Sequence, residues 1–503
     1  MDQELALAIL LSGKSALVTG AAGTGKTYLL NQFIKSARAM GKKVSVTATT
    51  GLAATHLNGS TIHSWSGMGV YDELPNNFFE KMSKTRHDTI SKTDVLVIDE
   101  ISMMHDFRLD MLDDILRVVR KVDQPFGGIQ LVMSGDFFQL PPINRSDSRT
   151  GSFVVFSEVW QRLDPVVIYL ERQYRQEDEA LLDILTALRR GDVRRSHAEA
   201  LLERSEIEPP DEDITELHTV NVDVDKINLR RLQQIDDDDR EYQQTSTGSK
   251  IYVESLRRSV LAPESLVLRR GALVMAVKNS SDKQYVNGSV GVVVDFEPLT
   301  EYPVVKFRNG REITMIPDTW ELRDGEQKRA SISQVPLRLA WAITIHKSQG
   351  MTLDSAKIDL RKAFVEGMGY VALSRVRDIN HLYLYGINRK ALEVSSDALE
   401  IDETLRQNSA SSAKKYEGLR KKFDGSVKKQ KKASTNPGWR EKIDKMRETH
   451  PNAFRPWSKE DDEKLRQDFL LNPDLDALSQ TFGRHHGSII VRLKKHFGED
   501  IIA

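Results

Sequence analysis

The stretch Gly20-Ala21-Ala22-Gly23-Thr24-Gly25-Lys26-Thr27 constrains this chain more than any other. It follows the apolar run Ser15–Thr19, which reads as a buried strand, and precedes Tyr28–Ile34, whose apolar spacing predicts a helix. Strand, glycine-rich loop and helix in that order form the setting of a phosphate-binding loop. Glycine lets backbone N–H groups converge on phosphate oxygens with no Cβ in the way, and the helix N-terminus adds partial positive charge. In that setting Gly23, Thr24 and Gly25 cradle phosphates, Lys26 reaches the β- and γ-phosphates of ATP, and Thr27 ligates Mg²⁺. A glycine-rich turn without a ligand is the rival reading, and it leaves the full pattern unexplained.

A chain of 503 residues predicts two to four domains. Its net charge of -1 carries no information until the distribution is read. With no cysteine, disulfides, zinc–thiolate sites and thiol catalysis are excluded, which fits a reducing compartment. Leu5–Leu11 is apolar but short, and Asp2 and Glu4 precede it, so it reads as a helix of the folded domain rather than a secretory leader. No stretch is long enough to span a bilayer, so no membrane partner is expected.

Up to about residue 170 strands alternate with helices: Ala16–Thr19, Lys43–Thr47, Val95–Ile98, Ile129–Met133 and Val166–Tyr169, with helices notably at Tyr28–Met40 and Asp106–Val119. This pattern predicts a doubly wound α/β sheet with its chemistry at the strand C-termini. Residues 171–268 are mostly helical, with an acidic loop at Asp236–Asp239. Residues 269–334 change to short strands and turns, including Asn287-Gly288 and Asn309-Gly310, which predicts a small inserted β-barrel. The α/β pattern resumes at Leu337–Ile345, Ala356–Asp359 and His381–Tyr385. From Lys414 to Lys445 there are twelve Lys/Arg and four Asp/Glu, which reads as a basic linker.

Two further constellations carry chemistry. Val95–Ile98 is an apolar strand ending in Asp99 and Glu100. Asp99 at the strand tip can hold Mg²⁺ through water, and Glu100 can orient and deprotonate an attacking water. Gln139, in Ser134-Gly135-Asp136-Phe137-Phe138-Gln139-Leu140-Pro141-Pro142, has an amide able to donate to a γ-phosphate and accept from water; the alternative is a polar loop residue.

Together these stretches resemble superfamily-1 helicases of the Pif family, relatives of RecD and Dda. More matches follow in order: Thr47–Ala54 resembles motif Ia, Thr61-Ile62-His63-Ser64-Trp65 the next DNA-contacting motif, Tyr174-Arg175-Gln176 motif IV, Val286–Gly291 the start of the inserted barrel, Ala342–Gly350 motif V and Tyr370–Arg375 motif VI. Gln3 lies where the family has its adenine-reading glutamine. The resemblance covers residues 1–402. It implies two RecA-like domains (1–170; 171–268 with 335–402) and a barrel at 269–334. It implies that Arg175 and Arg375 are arginine fingers reaching from the second domain to the γ-phosphate. Thr49, Thr50, His63, His346, Lys347 and Ser348 match positions lining a single-stranded DNA path. Trp65 could stack on a base or belong to the core. Phe78 and Phe79 are the candidates for a strand-separating wedge, against the reading of a buried apolar pair. The implied activity is an ATP- and Mg²⁺-dependent DNA helicase moving 5′-to-3′ on single-stranded and forked DNA, in replication, repair or recombination, at a cytoplasmic, DNA-associated location. The rivals are an RNA-directed ATPase of the same superfamily and a DNA-binding regulator with an NTPase switch.

After a linker at 403–452, residues 453–503 predict three short helices. Ser458 and Asp461 resemble a capping box, and Leu465, Phe469, Leu478, Phe482, Ile489 and Leu493 suit a shared core. This resembles a Myb-like or helix-turn-helix module whose last helix offers Arg484 and Arg492 to duplex DNA. A protein-docking module is the alternative.

Overall fold

The computed structural model describes residues 1–497 except 58, 70, 145–148, 177, 210–213, 281–283, 286, 325–326, 434–445, 454 and 456. The chain forms two compact units, Met1–Leu419 and Arg420–Ala503. Val286 of the motif at the start of the inserted strands lies outside the described residues. Among the described residues no helix is long and apolar enough to cross a membrane.

The first unit opens with helix α1 (Gln3–Leu11), capped by Asp2, whose carboxylate accepts the Leu5 N–H at 3.0 Å. Leu5 to Leu10 are buried, so the early apolar run is core. Six parallel strands follow: β1 (Ala16–Gly20), β2 (Val44–Ala48), β3 (Ser60–Thr61), β4 (Val95–Asp99), β5 (Gln130–Gly135) and β6 (Val166–Leu170). Their order is β3-β2-β4-β5-β1-β6. β1 and β4 are buried throughout, as a sheet covered by helices on both faces requires. Helix α2 (Lys26–Ala39) leaves β1 through the glycine-rich loop. This is the expected doubly wound sheet, and β1, β4 and β5 lie side by side, so the tips that carry Gly20, Asp99 and Gly135 share one edge.

A second parallel sheet has the order Ala342–Thr344, Thr215–His218, Ala356–Leu360, Leu382–Ile387. Its first strand takes only part of the apolar run Leu337–Ile345. Leu337–Leu339 instead pairs antiparallel with Leu273–Ala276 in the inserted region. That region contains a five-stranded antiparallel sheet and a three-stranded one. It starts earlier than the expected residue 269. Arg240–Gln243 pairs with Ser265–Leu268, and Thr245–Gly248 pairs with Gln327–Gln334. Those two early strands are polar, so they lack the apolar signal of a strand. The Asn309-Gly310 turn joins Pro303–Phe307 to Glu312–Thr314 as expected, with Gly310 at φ +81°. The acidic run is tied down, with Asp239 bonded to Arg269 at 2.7 Å and Asp237 accepting the Arg270 N–H.

The expected boundary at residue 402 is not a boundary. A helix runs over Ser396–Ala433, and its first part packs on the first unit, burying Ala398, Ile401 and Leu405. The expected linker is therefore helical up to Ala433.

In the second unit, helices Lys459–Leu471, Leu475–Phe482 and His486–Phe497 enclose Leu465, Leu478, Phe482, Ile489 and Leu493, with Trp457 packed against them. The Ser458–Asp461 capping box forms, and Gly483 ends the second helix in the left-handed region.

Candidate nucleotide site and nucleic-acid path

A cleft of about 550 Å³ is lined by Gly23, Gly25, Lys26, Thr27, Asp99, Glu100 and Gln139 from the first sheet's edge, and by His346, Lys347, Gln349 and Arg375 from the second lobe. The phosphate-loop glycines are there because neighbours crowd them. Gly23 has φ +86°, and a Cβ on it would stand 2.6 Å from the Arg175 Cβ; Gly25, at φ +83°, has the Gln3 amide against it. Gln3 also donates to the Thr24 carbonyl at 3.5 Å, which places it at the loop as the motif implies. Lys26 Nζ donates to the Gly20 and Ala21 carbonyls at 2.8 and 3.1 Å, and burial lowers its pKa.

Glu100, the residue after β4, sits in the left-handed region, φ 53° and ψ 43°, a conformation that a non-glycine residue adopts at a cost. Thr49 holds it there. Its hydroxyl donates to the Glu100 carbonyl at 2.8 Å and its N–H to the Asp99 carbonyl at 3.2 Å. Burial, then the neighbouring Asp99, pushes the Glu100 carboxyl up to about 7, and burial raises Asp99 as well. The Asp99 and Glu100 carboxyls and Thr27 line one cleft and offer hard oxygen donors, which fits Mg²⁺ better than a thiol- or imidazole-seeking metal.

Gln349 was not singled out by the sequence. Its amide donates to Glu100 Oε2 at 3.2 Å and to Gln139 Oε1 at 3.1 Å. It thus ties the second lobe to both candidate catalytic groups of the first. Tyr174 was also missed beyond its motif. Its exposed ring lines the cleft beside Gly25, with the Arg172 guanidinium 5.1 Å above it.

The two arginines differ in origin. Arg175 belongs to the segment leaving β6, where the Tyr174 N–H donates to the Gly23 carbonyl at 3.0 Å. It therefore lies over the phosphate loop itself instead of reaching across from the second domain, as the motif implied. Its Nη1 donates to the Ser374 carbonyl at 3.3 Å. Arg375 does come from the second lobe. It is 1 % exposed and donates to the Val371, Ser348 and Met351 carbonyls and the Ser374 hydroxyl. Burial, then Arg175, brings its pKa down to about 9.

Of the expected nucleic-acid contacts, Thr50, His346 and Lys347 line the cleft. Thr50 also caps its helix, accepting the Ala53 N–H at 3.2 Å. Ser348 is a correction: it is fully buried, its hydroxyl donating to Ile345 and its carbonyl accepting from Arg375, so it supports the arginine instead of facing a surface. His63 accepts from Arg108 at 3.1 Å, and Arg108 bonds Asp72 at 2.9 Å. Burial, then Arg108, lowers the His63 pKa to about 4, so the ring is neutral at pH 7. Trp65 packs against the core with its indole N–H buried and unpartnered. Phe78 is core, whereas Phe79 is 38 % exposed with its ring edge-on to Phe78.

In the second unit, Arg484 and Arg492 are engaged internally. Arg484 is 4 % exposed, donates to the Arg455 carbonyl at 2.7 Å and stacks 4.2 Å over Trp457. Arg492 makes a two-pronged pair with Asp462, its Nε at 2.6 Å. The acidic first turn of the helix starting at Lys459 supplies Asp462 to Arg492 and Asp461, at 3.8 Å, to Arg484, so both arginines offered to duplex DNA hold the module's own fold.

A phosphate loop, a carboxylate pair at the tip of the next strand but one, and a second parallel sheet that faces them with an arginine define a P-loop NTPase motor of two RecA-like cores. Residues 2–195 match the family model for PIF1-like helicase. The ATP-dependent DNA helicase Pif1 of Psychrobacter sp. is 37% identical over 479 residues, 83% of this chain and 73% of that one. Bacteroides Pif1 in complex with ADP-AlF4 superposes with a TM-score of 0.71 at 31% identity, covering 81% of this chain and 97% of that one. Bacteroides Pif1 bound to single-stranded DNA matches with a TM-score of 0.59 at 33% identity, covering 82% and 97%. The chain belongs to the PIF1-like helicase family and is an ATP-dependent helicase.

Proposed function

We propose that this chain couples ATP hydrolysis, with Mg²⁺, to 5′-to-3′ movement along single-stranded DNA and to strand separation at forks. The observation that carries the reading is the segment Ile345–Gln349. His346 and Lys347 open onto the cleft, and three residues after His346 the Gln349 amide bonds Glu100 and Gln139. One short segment thus carries both the amide that bonds the hydrolytic groups and the two basic residues proposed to contact DNA, which would pass a change at the phosphates to the strand.

Thr27 and Asp99 would hold Mg²⁺, which screens the phosphate charge. Glu100 accepts the proton of the attacking water, and Gln139 orients that water. Lys26, Arg175 and Arg375 neutralise charge building on the γ-phosphoryl oxygens, Arg375 by exchanging carbonyl partners for phosphate oxygens. Gln3 and the Tyr174 ring flank the position of the base. Thr50, His346 and Lys347 contact the DNA backbone, which suits their short hydroxyl and basic donors. The solved Bacteroides Pif1 bound to single-stranded DNA supports DNA as the track. The direction of movement rests on family membership.

The test is ATPase stimulation by matched DNA and RNA oligonucleotides. Stimulation by DNA well above RNA, lost in Lys26→Ala, supports the proposal. Equal or greater stimulation by RNA would move the assignment to an RNA-directed ATPase.

A further inference from the structure

Behind the phosphate loop lies a buried chain of polar groups that the hydrolytic reaction does not use directly. The Ala22 N–H of the loop donates to the Tyr370 hydroxyl at 3.0 Å, and that hydroxyl donates to Asp136 Oδ2 at 3.1 Å. Arg189 Nη1 donates to Asp136 Oδ1 at 2.6 Å and to Tyr370 at 3.0 Å. Its Nη2 donates to the Tyr169 hydroxyl at 2.9 Å and to Asp402 Oδ1 at 3.4 Å. Tyr169 donates to Asp402 at 2.6 Å. Arg406 closes the far end, bonding Asp402 Oδ2 at 2.6 Å and Tyr169 at 2.7 Å. The Tyr169 N–H donates to the Ser409 hydroxyl at 3.0 Å, which fixes the helix that starts at Ser396 to β6.

Besides the loop amide, these groups come from four places: the first sheet (Tyr169 in β6 and Asp136 just past β5), the helix Glu179–Arg190, the helix Met368–Leu373 that leads to Arg375, and the helix starting at Ser396. Asp136 is wholly buried and Arg189 8 % exposed. A single arginine would neutralise Asp136, but Arg189 is shared. Its other arm is held by Tyr169 and Asp402, and Asp402 is held in turn by Arg406. Two carboxylates and two guanidiniums thus form one closed neutral set, and releasing one end frees Arg189 to turn. Such a turn reaches the nucleotide site by two routes: Tyr370 on the loop amide, and Asp136, whose Oδ2 also accepts from the Gln139 amide at 3.4 Å. Buried networks of this kind act as units, not as independent bonds.

We propose that Asp402 and Arg406 are positioning residues for ATP turnover: through Arg189 they fix the Tyr370 and Asp136 contacts that set the loop and Gln139. The inference rests on the nucleotide-site reading above. It also makes the helix up to Leu419 part of the motor instead of a tether.

Asp402→Asn, Tyr370→Phe and the double variant test this in the full chain, with kcat and KM for ATP measured on saturating oligothymidylate. Each single variant should lower kcat about three- to tenfold with KM within about twofold, and the double should be no slower than the slower single. A wild-type kcat for Asp402→Asn, whatever its melting temperature, overturns the proposal. So do effects that multiply in the double variant. If Asp402→Asn does not fold, Arg406→Gln, at the half-exposed rim, takes its place with the same expected and overturning results. Lys26→Ala runs alongside: turnover surviving in that variant would sink the nucleotide-site reading, a result distinct from any of these.

Discussion

Replacing Gln349 by alanine should slow ATP turnover while leaving ATP binding near normal. The side chain makes two bonds, at 3.2 Å to the Glu100 carboxyl and 3.1 Å to the Gln139 carbonyl, and it is 7 % exposed. A hydrogen bond to a charged group is typically worth about 1.5–3 kcal/mol. Each 1.36 kcal/mol of barrier is about tenfold in rate. Removing the amide leaves Glu100 free to rotate and Gln139 without its partner from the second lobe. If that loss falls on the transition state, kcat drops about 10- to 100-fold. Gln349 touches neither Lys26 nor the phosphate-loop amides, so KM for ATP should stay within about threefold, the mark of an interaction that acts on the chemical step. The assay is phosphate release on saturating single-stranded DNA, with nucleotide affinity measured separately by titration. A kcat within twofold of wild type would refute the bridging role. A loss confined to affinity would show instead that Gln349 belongs to nucleotide binding.

Three other outcomes follow from the geometry. Arg375→Ala and Arg175→Ala should each lower kcat, by about 10³-fold for a finger role, with modest change in KM; turnover that survives with affinity lost would contradict that role. Burial holds the His63 pKa at about 4 against the ordinary 6.5. A depressed histidine contributes stability that is present above pH 6.5 and is lost as pH falls from 6.5 through about 4, worth at most roughly 3 kcal/mol. Chemical denaturation at pH 7 and pH 4.5 should therefore show a smaller acid loss in His63→Gln than in wild type, and equal losses would refute the linkage. Arg492→Ala should lower the melting temperature of the three-helix module and leave duplex-DNA affinity unchanged, because the arginine is paired with Asp462. A loss of affinity with no thermal shift would restore the DNA reading.

The phosphate loop, the Asp99–Glu100 strand tip and the first sheet were legible because each is local: an apolar strand followed at once by its functional residues. The motif pointed to His346 and Lys347, which the fold sets on the cleft that holds the phosphate loop. Gln349, two residues beyond Lys347, was not legible, because its meaning lies in Glu100 and Gln139, more than 200 residues away in sequence. Asp136 stood only as a member of its motif, and Arg189 and Asp402 gave no signal, because only folding brings the three together. Arg175 was placed in the wrong domain because the sequence shows where β6 ends but not that the chain then crosses the loop. The early inserted strands escaped because Tyr242 is their one apolar side chain. Arg484 and Arg492 looked available because a basic helix gives no sign of the acidic turn packed against it. The Lys-rich composition from Lys414 on concealed the continuation of a helix that starts at Ser396 and is anchored by Ala398, Ile401 and Leu405 before that run.

Strand separation on forked duplexes, with the single-stranded tail on either the 5′ or the 3′ side, tests the central claim most directly. With ATP and Mg²⁺ the chain should unwind the 5′-tailed fork and leave the 3′-tailed one largely intact. Glu100→Gln should bind the same fork and ATP but unwind neither. Unwinding of the 3′-tailed substrate alone, or ATP hydrolysis with no strand separation on any fork, would contradict the account.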